Sequence, residues 1–332
     1  MPFWRKFSIL MLPLTLGAGA WAAAPATETG GAAPQATTLT LLGTAGGPII
    51  RTYRSQPSSM LTVNGRHFLI DAGEGTVRRL QEAGVQASEI EKVFLTHLHF
   101  DHTAGLGSLF AFAWTMPTGK PIEVIGPAGT QAIVADALNA NRTSKTLYEA
   151  ITPGAPDWMK IAVAKPFEAD KPTIIYKDGD VTVTAVANSH FDAVPVPDQP
   201  YGKVRAYAYR FETKDRVIVF TGDTGPSPAV VKLADGADIL VSEIIDLDHA
   251  VEVAKAQGRT GRDLEGIVAH HTREHLIPEE VGKLAAAAKV KMVVLNHMAF
   301  ALDREGAAAP FLAGVRKYYN GPVVAGRDLD QF

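Results

Sequence analysis

The sequence predicts an α/β fold of packed β-sheets flanked by helices, with a metal site along one sheet edge. Three observations predict it. Short apolar runs alternate with helical segments from residue 38 to the end of the chain. Five of those runs lead straight into a metal-competent residue: His97, His190, Asp223, Glu243 or His297. One of them, Val93-Phe94-Leu95, opens onto Thr96-His97-Leu98-His99-Phe100-Asp101-His102, which gathers three of the chain's ten histidines.

Residues 39–42 alternate as a first strand. Residues 43–48 form a glycine-rich turn without the Lys-Ser/Thr ending of a P-loop, so the case for phosphate cradling there is weak. Residues 60–63 and 67–70 flank Asn64-Gly65, a hairpin signal. Asp71-Ala72-Gly73-Glu74-Gly75 leaves the second strand, and residues 76–83 carry helical spacing that stops at Gly84. Residues 93–95 are a short buried strand. Residues 103–114 are apolar enough for a helix packed under the motif. Residues 121–125 read as a strand and 129–138 as a helix.

Residues 141–171, with Pro153, Pro156 and Pro166, read as an irregular surface insertion acting as a lid. Trp158 and Met159 within it are candidates either for substrate contact or for ordinary packing. Residues 181–187 alternate Val and Thr as a half-buried strand that ends at Asn188-Ser189-His190. Residues 207–211 and 216–220 form a hairpin, the second strand running into Thr221-Gly222-Asp223-Thr224-Gly225. Residues 228–233 are a short helix, 239–242 a strand ending at Glu243, and 278–289 an Ala-rich helix with Pro278 at its start. Residues 292–295 are a strand ending at Asn296-His297. A last helix and a strand at 322–325 complete the chain.

Composition bounds the chemistry. The 332 residues carry a net charge of −3 with 46% hydrophobic residues, which is ordinary globular composition, and no cluster of Lys and Arg marks a nucleic-acid footprint. Cysteine is absent, so a metal must be held by His, Asp and Glu. At the N-terminus Arg5 and Lys6 precede an apolar run at 7–20 and the small-x-small pattern Ala20-Trp21-Ala22. Residues 1–22 therefore read as a signal peptide, with an uncleaved membrane anchor as the alternative. Residues 23–37, rich in Ala, Pro, Gly and Thr, read as a disordered linker before a single domain at 38–332. The expected location is the periplasm or the outside of the cell, with no membrane partner once the signal is cleaved.

His97 and His99 alternate and can share one ion, which His190 completes. Asp101 and His102 continue round the turn to a second ion, which His297 completes. Asp223, in a glycine-flanked turn, has two oxygens and can bridge the pair. Two ions held about 3.5–4 Å apart trap a hydroxide between them and lower its pKa. Zinc is the default, and manganese or iron suits the same donors. Asp71 is a candidate brace for a ligand histidine.

With these residues in place the sequence resembles the metallo-β-lactamase superfamily, whose fold is an αββα sandwich of two packed mixed β-sheets flanked by helices. His97-x-His99-x-Asp101-His102 matches its signature in full, and His190, Asp223 and His297 follow in the family's order. Leu42-Gly43-Thr44-Ala45-Gly46-Gly47-Pro48, Asp71-Ala72-Gly73-Glu74-Gly75 and Phe220-Thr221-Gly222-Asp223-Thr224 resemble the ribonuclease Z and phosphodiesterase branch. In that branch a Glu and a His pair to hand a proton to the leaving group. Glu243 and His275 occupy the matching places, with His271 as the alternative histidine. The resemblance implies a dinuclear metal-dependent hydrolase in which Asp101, Glu243 and His275 are catalytic.

The sequence also departs from the branch. Ile244-Ile245 and Leu276-Ile277 follow the pair where small or hydroxyl residues are usual. Only about thirty residues separate His190 from Asp223, too few for the branch's tRNA-gripping arm. The expected substrate is therefore a small phosphodiester or related ester rather than precursor tRNA. A lactone, a β-lactam or an aryl sulfate is the alternative. Relatives in the branch are often dimers, so the resemblance also implies a homodimer.

Overall fold

Sheet formation follows the apolar runs of the central strands, because a strand covered on both faces needs apolar residues pointing both ways. In the computed structural model, residues 37–332 are described except 48, 153, 194–195 and 302–305. The expected signal peptide and nearly all of the linker lie outside the described residues. The first sheet has the order β1 (Thr37–Gly43), β2 (Ser58–Val63), β3 (Arg66–Ile70), β4 (Ile90–Phe94), β5 (Ile122–Gly126) and β6 (Ala162–Pro166). The second contains β7 (Thr173–Lys177), β8 (Thr182–Ala187), β9 (Tyr207–Glu212), β10 (Val217–Phe220), β11 (Ile239–Ile245), β12 (Val293–Ala299) and β13 (Val323–Ala325), also adjacent in chain order. Each sheet starts antiparallel and ends parallel.

Four layers result. Leu41, Phe94, Phe211 and Val294 point into the core between the sheets. Their neighbours Leu42, Val93 and Val293 point outward, under the helices. The first sheet is covered by α1 (Thr76–Glu82), α3 (Leu106–Thr115) and α4 (Thr130–Ala140); α2 (Phe100–Thr103) and α5 (Arg142–Glu149) flank them in the chain. The second is covered by α6 (Pro228–Leu233), α9 (Pro278–Ala287) and α10 (Ala309–Arg316), and α7 (Leu247–Ala256) and α8 (Gly261–Glu274) also lie in that half. The hairpin of β2 and β3 turns at Asn64 and Gly65 with φ of 50° and 77°, the left-handed geometry a two-residue turn of this kind requires.

Three expectations need correction. Residues 141–171 are not an irregular lid: they contain α5, a short helical turn at Trp158–Lys160, and β6, which pairs in parallel with β5 as the sheet edge. Trp158 is buried, packs edge-to-face on Trp114 at 5.8 Å and donates to the Leu138 carbonyl, so it is a core residue; Met159 is exposed. The helix expected at 103–114 starts at Leu106, since Thr103 closes α2; at the turn between them Gly105 passes so close to the Gly73 backbone that a Cβ would sit 2.3 Å from its carbonyl oxygen. Glu243 and His297 do not end their strands but lie inside β11 and β12, where Asn296 and His297 together oppose Glu243 in a bulge. A bulge re-aims a side chain without ending the ladder.

Candidate metal centre

The His-rich segment is held from both sheets. Asp71, at φ 59°, leaves β3 and accepts from the Thr96 backbone N–H and hydroxyl, both at 2.8 Å. From the second sheet, Tyr207 donates its backbone N–H to the Thr96 carbonyl and Tyr209 its hydroxyl to the Leu95 carbonyl. Three loops then deliver ligand-type residues at the same offset: His97, His190 and Asp223 each lie three residues beyond the end of β4, β8 and β10. Gly222, at φ 58°, makes the turn that aims Asp223.

All seven expected ligands converge. Nε2 of His97, Nδ1 of His99 and Nε2 of His190 form one set: His99 Nδ1 lies 2.9 Å from His97 and 3.3 Å from His190. Asp101, His102 and His297 form a second set, with Asp101 Oδ2 at 3.4 Å from His102 Nε2 and 3.5 Å from His297 Nε2. Asp223 Oδ2 stands between the sets, at 3.1 Å from His297, 3.5 Å from His102 and 3.8 Å from His97. Gly47 passes this centre so closely that a Cβ there would strike the Asp101 carboxylate, which explains a glycine in the turn at 43–48.

The donor chemistry fits cations. His102 Nε2, Asp223 Oδ1 and His297 Nε2 are buried without a hydrogen-bond partner among the described residues. His297 Nε2 and Asp223 Oδ2 lie close but out of hydrogen-bond alignment, as two groups aimed at a shared point would be. The opposite ring nitrogens are fixed. His102 Nδ1 donates to Asp71 at 2.8 Å, His190 Nδ1 to the Glu274 carbonyl at 3.0 Å, and His97 Nδ1 to the Thr96 hydroxyl at 3.1 Å. These contacts set the tautomers that leave Nε2 free for a metal. Asp71 thus braces His102 directly and His97 through Thr96. Replacing Asp71 by Asn is expected to lower metal affinity about 10–100-fold in a competition titration, while circular dichroism stays native.

Charges follow the same division. Burial holds His190 down to about 3, and burial also depresses His97, so both rings are neutral donors. Burial would depress His102 and His297 as well, but Asp223 outweighs it with help from Asp101, and His297 is pushed up to about 10. In the metal-free protein these two rings hold protons where a cation belongs. Loading zinc at pH 7 in weak buffer should therefore release protons, and apparent affinity should rise with pH; a pH-stat titration reads both.

Glu243 and His275 also meet. Glu243 is buried; Oε1 accepts the Thr224 backbone N–H at 2.7 Å and Oε2 accepts His275 Nδ1 at 2.9 Å. His275 caps the C-terminal end of α8, whose dipole favours a cation. Burial opposes charge on this ring, and the Glu243 carboxylate outweighs it, so the net shift is upward. His275 groups with His190 and Asp223 at ligand-atom spacing, which puts its ring beside the centre. His271 lies farther from the ligands, its ring 6.2 Å from that of His275. Thr96 and Phe191 were missed in the sequence. Each adjoins a ligand in the chain, and Phe191 packs on the rings of His97, His99 and His190.

A sequence profile described as "Beta-lactamase superfamily domain" matches residues 66–298, the span that holds every residue of this centre. The chain belongs to the metallo-β-lactamase superfamily. It is similar to ribonuclease Z of Mycolicibacterium paratuberculosis, at 30% identity over 297 residues, 88% of this chain and 96% of that protein. Among solved structures, the short form of human tRNase Z superposes with a TM-score of 0.61 at 21% identity, covering 89% of this chain and 98% of that one. The metallo-β-lactamase fold protein YhfI of Bacillus subtilis gives the same TM-score at 18% identity, over 89% and 98%. At such identities these structures establish the fold. The protein is a metal-dependent hydrolase of this superfamily in its ribonuclease Z-like branch; the fold implies divalent metal binding, and the clustered His and Asp side chains are groups that could hold such an ion.

Proposed function

We propose that this hydrolase holds two divalent ions, zinc by default, and cleaves a small phosphodiester after export from the cytoplasm. The observation that carries the reading is the Glu243–His275 pair beside the ligand cluster. Divalent ions there would lower the pKa of water and offset charge developing at phosphorus. Around them the chain's own residues divide the work. His97, His99 and His190 would hold one ion, Asp101, His102 and His297 the other, and Asp223 would serve both. Glu243 holds His275 with Nδ1–H engaged, so Nε2–H is free to protonate the departing alkoxide. A phosphodiester needs that proton because its leaving alkoxide is strongly basic.

A small substrate is favoured over RNA by the connection from β8 to β9. Residues 188–206 contain two basic residues, Lys203 and Arg205, and two acidic ones, Asp192 and Asp198. Arg205 pairs with Asp170 at 3.2 Å. A polyanion-gripping arm would need an excess of positive charge. The name of the similar mycobacterial protein, ribonuclease Z, favours the second reading, RNA end processing.

The test is a panel run with the metal-loaded protein: bis(p-nitrophenyl) phosphate, a precursor tRNA, a lactone and a cephalosporin. Turnover of the diester well above the other three supports the proposal. Cleavage of the tRNA at equal or better kcat/KM overturns the preference for small diesters, and a dominant lactone or cephalosporin overturns phosphodiester chemistry. Metal analysis should give close to two ions per chain, and less than one sinks the dinuclear assignment. N-terminal sequencing of the expressed protein should find cleavage after residue 22; an intact Met1 in a cytoplasmic fraction refutes export.

A further inference from the structure

His97, His102 and His190 each have Nδ1 held by a protein acceptor, and His297 does not. A neutral ring that offers Nε2 to a cation carries its proton on Nδ1. In His297 that atom is a buried donor in need of an acceptor. Glu243 Oε2 lies 4.0 Å from it, beyond direct hydrogen-bond reach and within the span of one bridging water. Asn296, the preceding residue, has the opposite need. Its buried side chain donates Nδ2 to Ser59 Oγ of β2 at 3.4 Å, while Oδ1 is a buried acceptor with no partner among the described residues. Metal ligation accounts for the unpartnered His102 Nε2, Asp223 Oδ1 and His297 Nε2, but for neither of these two atoms. Asn296 and His297 both line a cavity of about 30 Å³, together with Ser59, Asp71, Asp223 and Glu243. That volume takes one or two waters, and a buried water is held where it finds two to four polar partners.

We propose that this cavity binds a structural water that accepts the His297 Nδ1–H and donates to Glu243 Oε2 and Asn296 Oδ1, which makes Asn296 a positioning residue for the last metal ligand. Three hydrogen bonds are the usual complement of a buried water. Glu243 Oε2 already accepts His275 Nδ1 at 2.9 Å, and a carboxylate oxygen has room for a second donor. The water does for His297 what Asp71 does for His102: it fixes the tautomer and aims Nε2 at the centre. It also ties His297 to the oxygen that holds His275. The inference rests on His297 as a metal ligand and is independent of which ester is cleaved.

The experiment uses zinc-loaded protein throughout. A crystal structure should show one water bonded to His297 Nδ1, Glu243 Oε2 and Asn296 Oδ1 together. In a competition titration with a chelator, Asn296→Leu should bind its weaker ion about 10–100-fold less tightly than the native protein. Asn296→Asp keeps an oxygen in place and should bind it at least as tightly as the native protein does. Nitrogen-15 NMR supplies a readout that a packing role would not move. The His297 Nδ1 proton should exchange slowly with solvent in the native protein and Asn296→Asp, and quickly in Asn296→Leu. A cavity without that water overturns the proposal, and so does equal weakening of zinc in both variants. If Asn296→Leu does not fold, the crystal structure and the zinc affinity of Asn296→Asp decide. Native zinc binding in His297→Ala overturns the proposal at a different point, the ligand assignment beneath it.

Discussion

Replacing Asp223 by Ala is expected to abolish activity and cut bound metal from close to two ions per chain to one or none. Asp223 Oδ2 is the atom that approaches His97, His102 and His297 together, so its loss touches both ligand sets at once. The carboxylate is completely enclosed. Burial alone would raise its pKa, but His297 and His102 hold it well below the usual carboxylate range. It is therefore ionised, and removing it leaves an uncompensated cluster of histidines. Losing a shared ligand forfeits several kcal/mol of charge stabilisation, on the order of 10³-fold or more in rate. Elemental analysis and kcat measured side by side check the claim. A variant that keeps two ions and a tenth or more of the native rate would show that Asp223 does not hold both.

The second large effect is expected at His275. His275→Ala should slow phosphodiester turnover by about 10²–10⁴-fold, the usual contribution of a positioned acid, while metal content stays close to native. Glu243→Gln should give a smaller loss and move the alkaline limb of the pH profile to lower pH. Glu243 raises the His275 pKa, so without its charge the ring loses its proton at lower pH and activity falls off earlier as pH rises. Leaving groups that need no proton supply the contrast: His275→Ala should cost far less with p-nitrophenolate than with an alkoxide. Parallel loss of metal and activity in His275→Ala would instead make the histidine a structural brace.

The residues of the candidate metal centre stand out in the sequence because they are chemically rare and sit in short turns, and the structure brings them together. His97, His99, Asp101 and His102 occur in one run, and the chain has no cysteine to compete for the metal. The strands under them are equally plain, since a strand buried on both faces, such as Val93-Phe94 in β4, has a continuous apolar signature. Two of the four edge strands were not legible. β6 and β7 border the two sheets, half of each is exposed, and Lys165, Pro166 and Lys177 dilute the pattern. The helix that delivers His275 was missed for a related reason. In α8 only Glu274 is buried, so there is no apolar stripe to read.

The sheet sandwich, and the candidate donors with their order along the chain, are written in the sequence. These are local properties: residue type, spacing, and the period of apolar residues. Packing between distant elements sets which atoms face the candidate centre and what stands around it. Asp71 and Thr96 select the ring nitrogens of His102 and His97 through contacts across 31 and 1 residues of chain, and Glu274 does the same for His190 across 84. The bulge that turns His297 toward Asp223 arises from pairing between β11 and β12, and the Phe300–His271 contact joins α8 to the segment after β12. Apart from the Thr96–His97 contact between chain neighbours, these depend on how distant elements pack against one another, and no local pattern encodes them.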